Sequence, residues 1–179
     1  GSDLRDDSWH FVAGTHNGKI GRLFIDGNQV ASSEGLWNPS TLNWDLVIGN
    51  SSGGYGNGWN GLLDEVQLWN RSLSASEIKE VYQSTAPYGT QTNFSLSETN
   101  SGDSDVSYDF WRNGTMAAYW SFDEGSANYT FDETGNNNTG KINGAPLLTA
   151  DCKFGYCLKL DASNDDITIP MSESLNVSE

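Results

Sequence analysis

Basic residues are scarce in this sequence: nine Lys and Arg stand against 24 Asp and Glu, and the formal net charge is -15. Nucleic acids and anionic membrane surfaces are bound through basic patches, so neither is expected as a partner. No apolar run approaches the roughly 20 residues that a membrane-spanning helix needs, so direct membrane insertion is not expected either. The acidic excess leaves two interpretations open, a solvated acidic surface or the binding of divalent cations.

Cysteine is nearly absent, and the two that occur frame the sequence C-K-F-G-Y-C between Cys152 and Cys157. Because Gly155 between them suits a tight turn, they are predicted to close a small disulfide loop, with a reduced pair as the alternative. Two cysteines alone supply too few ligands for a metal site.

Several glycosylation sequons accompany the cysteine pair. The pattern N-x-S/T occurs at Asn50, Asn70, Asn93, Asn113, Asn128, Asn137 and Asn176. Single matches are weak in an Asn-rich sequence, but together with the cysteines they predict an extracellular or cell-surface glycoprotein.

Glycine and aromatic residues are plentiful. The chain has 20 Gly, 12% Phe, Trp and Tyr, and only four Pro, which favours a turn-rich, all-β fold. Asp26-Gly27 between two apolar segments is the strongest hairpin signal and suits a type I′ turn. Strands are further predicted at 9–16, 46–49, 62–69, 118–122, 141–142, 156–160 and 167–169.

The segment 62–69 alternates in the manner of a strand, which places Asp64 on the face shared with aliphatic side chains and Glu65 on the opposite face. Burial of an unpaired carboxylate is costly, so Asp64 is expected to meet a cation or several donors.

A short helix is predicted directly after this strand. Ser74 and Glu77 have the spacing of a capping box, and Leu73 and Ile78 that of a hydrophobic staple. Pro87 forbids continuation of the helix.

The chain is organised as two ordered segments, 1–86 and 116–179, separated by a Ser/Thr-rich segment at 87–115 that is predicted to be a linker, with 106–111 as one additional strand or as disorder.

The two ordered segments carry a recognisable set of motifs. Residues 118–126 read A-Y-W-S-F-D-E-G-S, 132–140 read D-E-T-G-N-N-N-T-G, and 153–161 read K-F-G-Y-C-L-K-L-D. Residues 9–18 read W-H-F-V-A-G-T-H-N-G, and 61–74 read G-L-L-D-E-V-Q-L-W-N-R-S-L-S. The set resembles the laminin-G-like domains, which have a concanavalin A-like jelly-roll sandwich.

The order of the motifs is reversed relative to that family. Segment 1–86 resembles the C-terminal part of such a module, and 116–179 resembles the N-terminal part. A window from a tandem array, a circular permutant and completion by a neighbouring chain are the three explanations. Unpaired strand edges in a half-module would favour assembly of subunits through strand complementation.

The resemblance implies a structural calcium ion, with Asp64, Asp123, Asn136 and Asn138 at the matching positions. Calcium prefers carboxylate, amide and backbone oxygens, so the residue types agree. The alternative is a hydrogen-bonded Asp beside an ordinary Asn-rich turn.

Catalytic residues are not predicted. Retaining glycosidases need two carboxylates about 5 Å apart, and the pairs Asp64-Glu65 and Asp123-Glu124 are adjacent in sequence, so their side chains are expected to diverge. His10 and His16 lack a nearby nucleophile signature and are interpreted as structural.

Four aromatic residues in or beside loops are candidate ligand-binding residues: Trp37, Trp44, Tyr55 and Trp59. Core filling is the alternative role for these rings. The sequence thus predicts a non-catalytic recognition or adhesion module that binds a glycan or a cell-surface protein and holds calcium. The alternative is a structural repeat of a surface filament in which copies assemble head-to-tail.

Overall fold

The computed structural model describes residues 4–35, 45–50, 58–83, 116–125, 128–144, 146–149 and 152–176. The elements are β1 Val12–His16, β2 Ile20–Ile25, β3 Asn28–Glu34, β4 Leu46–Ile48, β5 Asn60–Leu63, β6 Val66–Trp69, α1 Ala75–Gln83, β7 Met116–Trp120, β8 Tyr129–Thr130, β9 Gly140–Asn143, β10 Leu147–Thr149, β11 Cys157–Asp161 and β12 Asp166–Ile169. The predicted fold class, all-β with one short helix and of the concanavalin A-like jelly-roll type, is confirmed.

Several predictions fall outside the described residues. They are the linker 87–115 with its strand at 106–111, the aromatic residues Trp37, Trp44 and Tyr55, and the sequons Asn93 and Asn113.

The chain divides into two compact units. The first contains β1, β2, β3 and α1, and the second contains β4 to β12. The helix, at nine residues, is much shorter than a bilayer-spanning helix, and no described helix is long and apolar enough to cross a membrane.

The first unit is built on the predicted Asp26-Gly27 hairpin. Asp26 and Gly27 both have positive φ, 49° and 74°, as a type I′ turn requires, so the hairpin prediction is confirmed. The turn joins β2 to β3, and β1 pairs with the other edge of β2 in an antiparallel sheet. Phe24 on β2 is only 1% exposed and is part of the core of this unit.

The helix begins as its capping residues predict. The amide of Glu77 donates to Ser74 Oγ at 3.3 Å, and the amide of Ser74 donates to Glu77 Oε2 at 2.7 Å. Leu73 and Ile78, the predicted staple, are both buried. Arg71 pairs with the Glu77 carboxylate at 2.8 Å, and this hydrogen bond is the main reason that the pKa of Glu77 falls to about 2.

Gly27 packs against the helix and cannot be replaced without cost. A Cβ at this position would lie 2.9 Å from Tyr82 Cδ1, and its positive φ is unfavourable for any other residue. We expect Gly27→Ala to destabilise the protein by about 1–3 kcal/mol. Gly14→Ala is the matched control, since nothing lies within 4 Å of its added Cβ. Urea unfolding of both variants checks this, and equal midpoints would contradict the packing of Gly27 on Tyr82.

The described residues of the second unit form three sheets, with strand orders β10-β11-β5, β4-β12-β9-β8 and β6-β7. Its core is formed by fully buried side chains of β7, β11 and β12, together with Phe122 and Leu175. Strands of the two sequence segments pair directly with one another: β4 with β12, β5 with β11, and β6 with β7. Residues far apart in sequence are therefore neighbours in this unit.

Candidate functional site

The connection between β5 and β6 differs from the sequence prediction. A continuous strand over 62–69 is wrong, because β5 ends at Leu63 in one sheet and β6 begins at Val66 in another. Glu65 between them has φ 55°, in the left-handed region. The alternation of side chains between the two faces of a strand therefore ends at Leu63. It no longer places Glu65 on the face opposite Asp64.

Glu65 instead contacts the buried strand β7. The Tyr119 hydroxyl donates a hydrogen bond to Glu65 Oε2, and Tyr119 itself is 0% exposed. Next to it, the Ser121 hydroxyl donates to Glu133, whose amide donates to the Tyr119 carbonyl at 2.9 Å. Glu65 and Glu133 are thereby both anchored to β7 and the residues directly after it.

Asp64 and Asp123 are joined by the disulfide loop. Cys152 and Cys157 form the predicted disulfide, with their Cα atoms 5.5 Å apart, so that prediction is confirmed. Within the loop, the Phe154 amide donates to Asp64 Oδ2 at 3.0 Å. The Tyr156 amide donates to Asp123 Oδ1 at 2.6 Å. One six-residue loop therefore caps two carboxylates that come from the two different sequence segments.

Gly155 makes this capping possible. Its φ is +41°, and a Cβ added there would lie 1.9 Å from Asp123 Oδ1. Any side chain at this position would displace the Asp123 carboxylate from the loop. The glycine that suggested a tight turn in the sequence is thus needed for a close approach as well.

Asp64, Glu65, Asp123 and Glu133, here named the carboxylate cluster, repel one another electrostatically. Burial raises the pKa of Asp64 to about 6, opposed by the Phe154 amide and reinforced by the charge of Asp123. Burial likewise raises the pKa of Glu65 to about 7, opposed by the Tyr119 hydroxyl and reinforced by the charges of the other three members. Two of the carboxylate oxygens, Asp64 Oδ1 and Glu65 Oε1, are buried without a hydrogen-bond partner. The carboxylate cluster therefore has too few positive charges or hydrogen-bond donors around it to balance its negative charge.

The predicted metal-ligand set divides into two places. Asp64 and Asp123 meet at the disulfide loop, whereas Asn136 and Asn138 both donate their side-chain amides to the Ala117 carbonyl on β7, at 3.0 and 3.1 Å. Asn138 is 3% exposed and also binds Asp132 at 2.8 Å. Its amide oxygen accepts from the hydroxyls of Ser172 and Ser174. The two amides thus anchor the Asn-rich loop to β7, and metal ligation by them stays a prediction.

The donor set of the carboxylate cluster fits calcium chemically. Carboxylate side chains offer hard oxygen atoms, and Asp64 Oδ1, which is buried without a partner, is a position that a cation would satisfy. Within the described ranges, no three His, Cys, Asp or Glu side chains converge closely enough to hold a metal by themselves. A calcium ion held by Asp64 and Asp123 would therefore need backbone carbonyls and water to complete its shell.

Among the predicted aromatic ligand-binding residues, the structure describes Trp59. Its side chain is 49% exposed, and its Nε1 donates to the Leu62 carbonyl at 3.3 Å. Three aromatic residues that the sequence did not single out are about equally exposed, Phe131 at 51%, Tyr156 at 49% and Tyr129 at 48%. An apolar ring among polar residues is the signal that could have identified Phe131.

The described sequons are mostly on the surface. Asn137 is exposed and has φ 60°, and Asn70, Asn128 and Asn176 are exposed as well, whereas Asn50 is partly buried. Their glycosylation stays a prediction.

The two histidines have partners in the first unit. His10 lies between Asp26, at 2.8 Å from Nδ1, and Asp6, at 3.0 Å from Nε2. These two carboxylates raise the pKa of His10. His16 Nδ1 accepts from the Gly18 amide at 3.0 Å. Both contacts suit the structural role expected for these residues.

Comparison with known proteins gives two matches. Residues 1–79 match the family model Laminin_G_3, described as the concanavalin A-like lectin/glucanases superfamily. A solved structure, the 2.1 Å resolution crystal structure of an S-layer domain-containing protein (residues 221–444) from Clostridium thermocellum ATCC 27405, is 30% identical. That match covers 46% of this chain and 42% of that chain, less than half of either, with a TM-score of 0.37. No curated protein matches the sequence. Residues 1–79 therefore carry the sequence pattern of the concanavalin A-like lectin/glucanase superfamily.

Proposed function

We propose that this chain is a non-catalytic extracellular recognition module that binds a glycan at its surface and holds a structural calcium ion. The observation that carries the proposal is the carboxylate cluster, which joins the two sequence segments and has two buried oxygens without partners. The superfamily pattern over 1–79 agrees with a binding module, and the disulfide agrees with export.

A catalytic role is disfavoured by the contacts of the same carboxylates. Asp64 and Asp123 accept backbone amides of the disulfide loop, and Glu65 and Glu133 accept hydroxyls of Tyr119 and Ser121. All four are thus engaged in holding the structure together. A general acid and a nucleophile would instead have to face a substrate from opposite sides.

Calcium binding is expected to stabilise the folded protein. It would bind Asp64 and Asp123, offset the repulsion within the cluster and give Asp64 Oδ1 the partner that it lacks. We expect saturating calcium at neutral pH to raise the melting midpoint over that in chelator by roughly 5–10 °C, the effect of a ligand at about 100 times its Kd.

The cluster variants Asp64→Asn and Asp123→Asn should lose this response to calcium. Glu80→Gln, on the exposed face of α1, is the charge-matched control and should keep it. An unchanged midpoint of the wild-type protein in calcium and in chelator would remove the ion from the proposed function.

Glycan recognition is tested separately on an array of neutral and anionic glycans with the wild-type chain. Because the protein has a net charge of -15, we expect neutral glycans to be bound and sulfated or sialylated ones to be rejected. Absence of binding to every glycan would refute the recognition proposal.

A structural role in a surface filament is the second candidate. It is supported by the strand pairing, because β4, β5 and β6 of one sequence segment complete sheets with β7, β11 and β12 of the other. The same pairing made between neighbouring chains would give head-to-tail assembly. Light scattering over a range of protein concentrations separates the two candidates: a constant monomer mass disfavours the filament, and an open-ended series favours it.

A further inference from the structure

We propose that Phe131 and Tyr156, whose backbone amides donate to Glu124 and Asp123 of one turn, form the carbohydrate-binding surface and accept a neutral oligosaccharide. This inference rests on the proposed glycan recognition and assigns it to a part of the molecule outside the predicted set of aromatic residues. The side chains of Phe131 and Tyr156 are 51% and 49% exposed.

The turn fixes both aromatic residues through their backbone. Asp123 Oδ1 accepts the Tyr156 amide at 2.6 Å, and Glu124 Oε1 accepts the Phe131 amide and the Thr130 hydroxyl. Asp123 and Glu124 are consecutive, so the two aromatic residues are held beside one short turn. The disulfide restrains Tyr156 further, because that residue directly precedes Cys157. The backbones that carry the two rings are thus preorganised, which reduces the entropy cost of binding.

The chemistry of this surface selects the ligand class. Aromatic faces carry partial negative charge and attract the C–H groups of a sugar ring. Asp123 and Glu124 are acceptors only, and each ionised carboxylate has about four acceptor positions, more than its backbone bonds use. The matching ligand must therefore supply hydroxyl donors and apolar C–H faces without negative charge. A neutral hexose oligosaccharide has these properties, whereas an anionic glycan would be repelled.

Trp59 provides an internal comparison. It is as exposed as the other two aromatic residues, but it directly precedes β5, whereas Asp64 directly follows that strand. At about 3.3 Å per residue, Trp59 and Asp64 lie roughly 16 Å apart along the strand. Substitution of Trp59 therefore tests the predicted aromatic site independently of the surface at Phe131 and Tyr156.

The experiment measures binding of glucose, mannose and galactose tetrasaccharides by titration calorimetry, at constant calcium, to the full chain and its variants. We expect Phe131→Ala and Tyr156→Ala each to weaken binding at least about tenfold, as removal of a central aromatic contact does. Phe131→Tyr and Tyr156→Phe keep the rings and should bind within about threefold of wild type, a change of less than 1 kcal/mol. Trp59→Ala should bind like wild type. Circular dichroism spectra that match wild type ensure that each variant is folded.

The outcomes are distinguishable. If the wild-type chain binds a tetrasaccharide but only Trp59→Ala loses affinity, the assignment to Phe131 and Tyr156 is overturned and glycan recognition stands. If the two Ala variants weaken binding but the ring-preserving variants do so equally, the rings are not the contact surface and the assignment is also overturned. If the wild-type chain binds no neutral sugar, here and on the array, the proposed recognition fails together with the inference.

Discussion

Trp120→Ala is expected to be the most damaging single substitution in the second unit, with a loss of about 3–5 kcal/mol in the free energy of unfolding. Trp120 is 0% exposed and lies in the core cluster. Its Nε1 donates to the Asn138 carbonyl at 2.8 Å, and its Cα pairs with that of Val66. The substitution thus leaves a cavity and removes the buried donor of a carbonyl in the Asn-rich loop.

Because domains of this size are stable by only about 5–15 kcal/mol, this loss leaves the second unit marginal. Urea unfolding followed by far-UV circular dichroism measures it. Trp59→Ala is the matched control: the same side chain is removed at a half-exposed position, and we expect a loss below about 1 kcal/mol. Equal losses in the two variants would contradict the assignment of Trp120 to the core.

Stability should fall as the pH rises through the acidic to neutral range when calcium is absent. The pKa values of Asp64 and Glu65 are about 6 and about 7 in the folded protein, above their ordinary values of 3.8 and 4.5. Between the unfolded and folded values the native state holds more protons than the unfolded chain, so the free energy of unfolding decreases with increasing pH. Below about pH 4 both states are protonated and this contribution levels off.

The size of this effect is on the order of 1–3 kcal/mol for the two groups together, after a discount for the solvent that reaches these half-buried side chains. Unfolding in urea and chelator from pH 4.5 to 8 measures it, and Asp64→Asn combined with Glu65→Gln should flatten the profile. Added calcium should stabilise more at pH 8 than at pH 5, because protonated carboxyls ligate poorly. A wild-type profile as flat as that of the double variant would contradict the electrostatic account of the cluster.

Local features of the fold were predictable because they depend on neighbouring residues. The Asp26-Gly27 turn, the Ser74 and Glu77 capping box and the disulfide between Cys152 and Cys157 are each specified within about six residues. The strands at Leu46–Ile48 and Asp166–Ile169 likewise follow from short apolar segments.

Long-range features were not predictable in the same way. The alternation over 62–69 fits one strand as well as two, and it is the pairing of Leu63 with Leu158 and of Val66 with Trp120 that divides it at Asp64 and Glu65. The two-residue strand β8 lies outside the strands predicted from the sequence. Candidate site residues were therefore partly identified: Asp64 and Asp123 are brought together, but Glu133 joins them only through tertiary contacts, and the positive φ of Glu65 was not apparent from the sequence.

The central claim is that the carboxylate cluster is assembled within one chain by pairing of the two sequence segments. A cysteine pair at Val47 and Thr168, which are Cα partners in β4 and β12, tests it most directly. Oxidation of the double variant at low protein concentration, followed by mass spectrometry of the cross-linked peptides and a non-reducing gel, gives the result. We predict a cross-linked monomer, with neither single variant forming it. Cross-links found only in dimers and larger species would contradict the claim and place the two halves of the cluster in different chains.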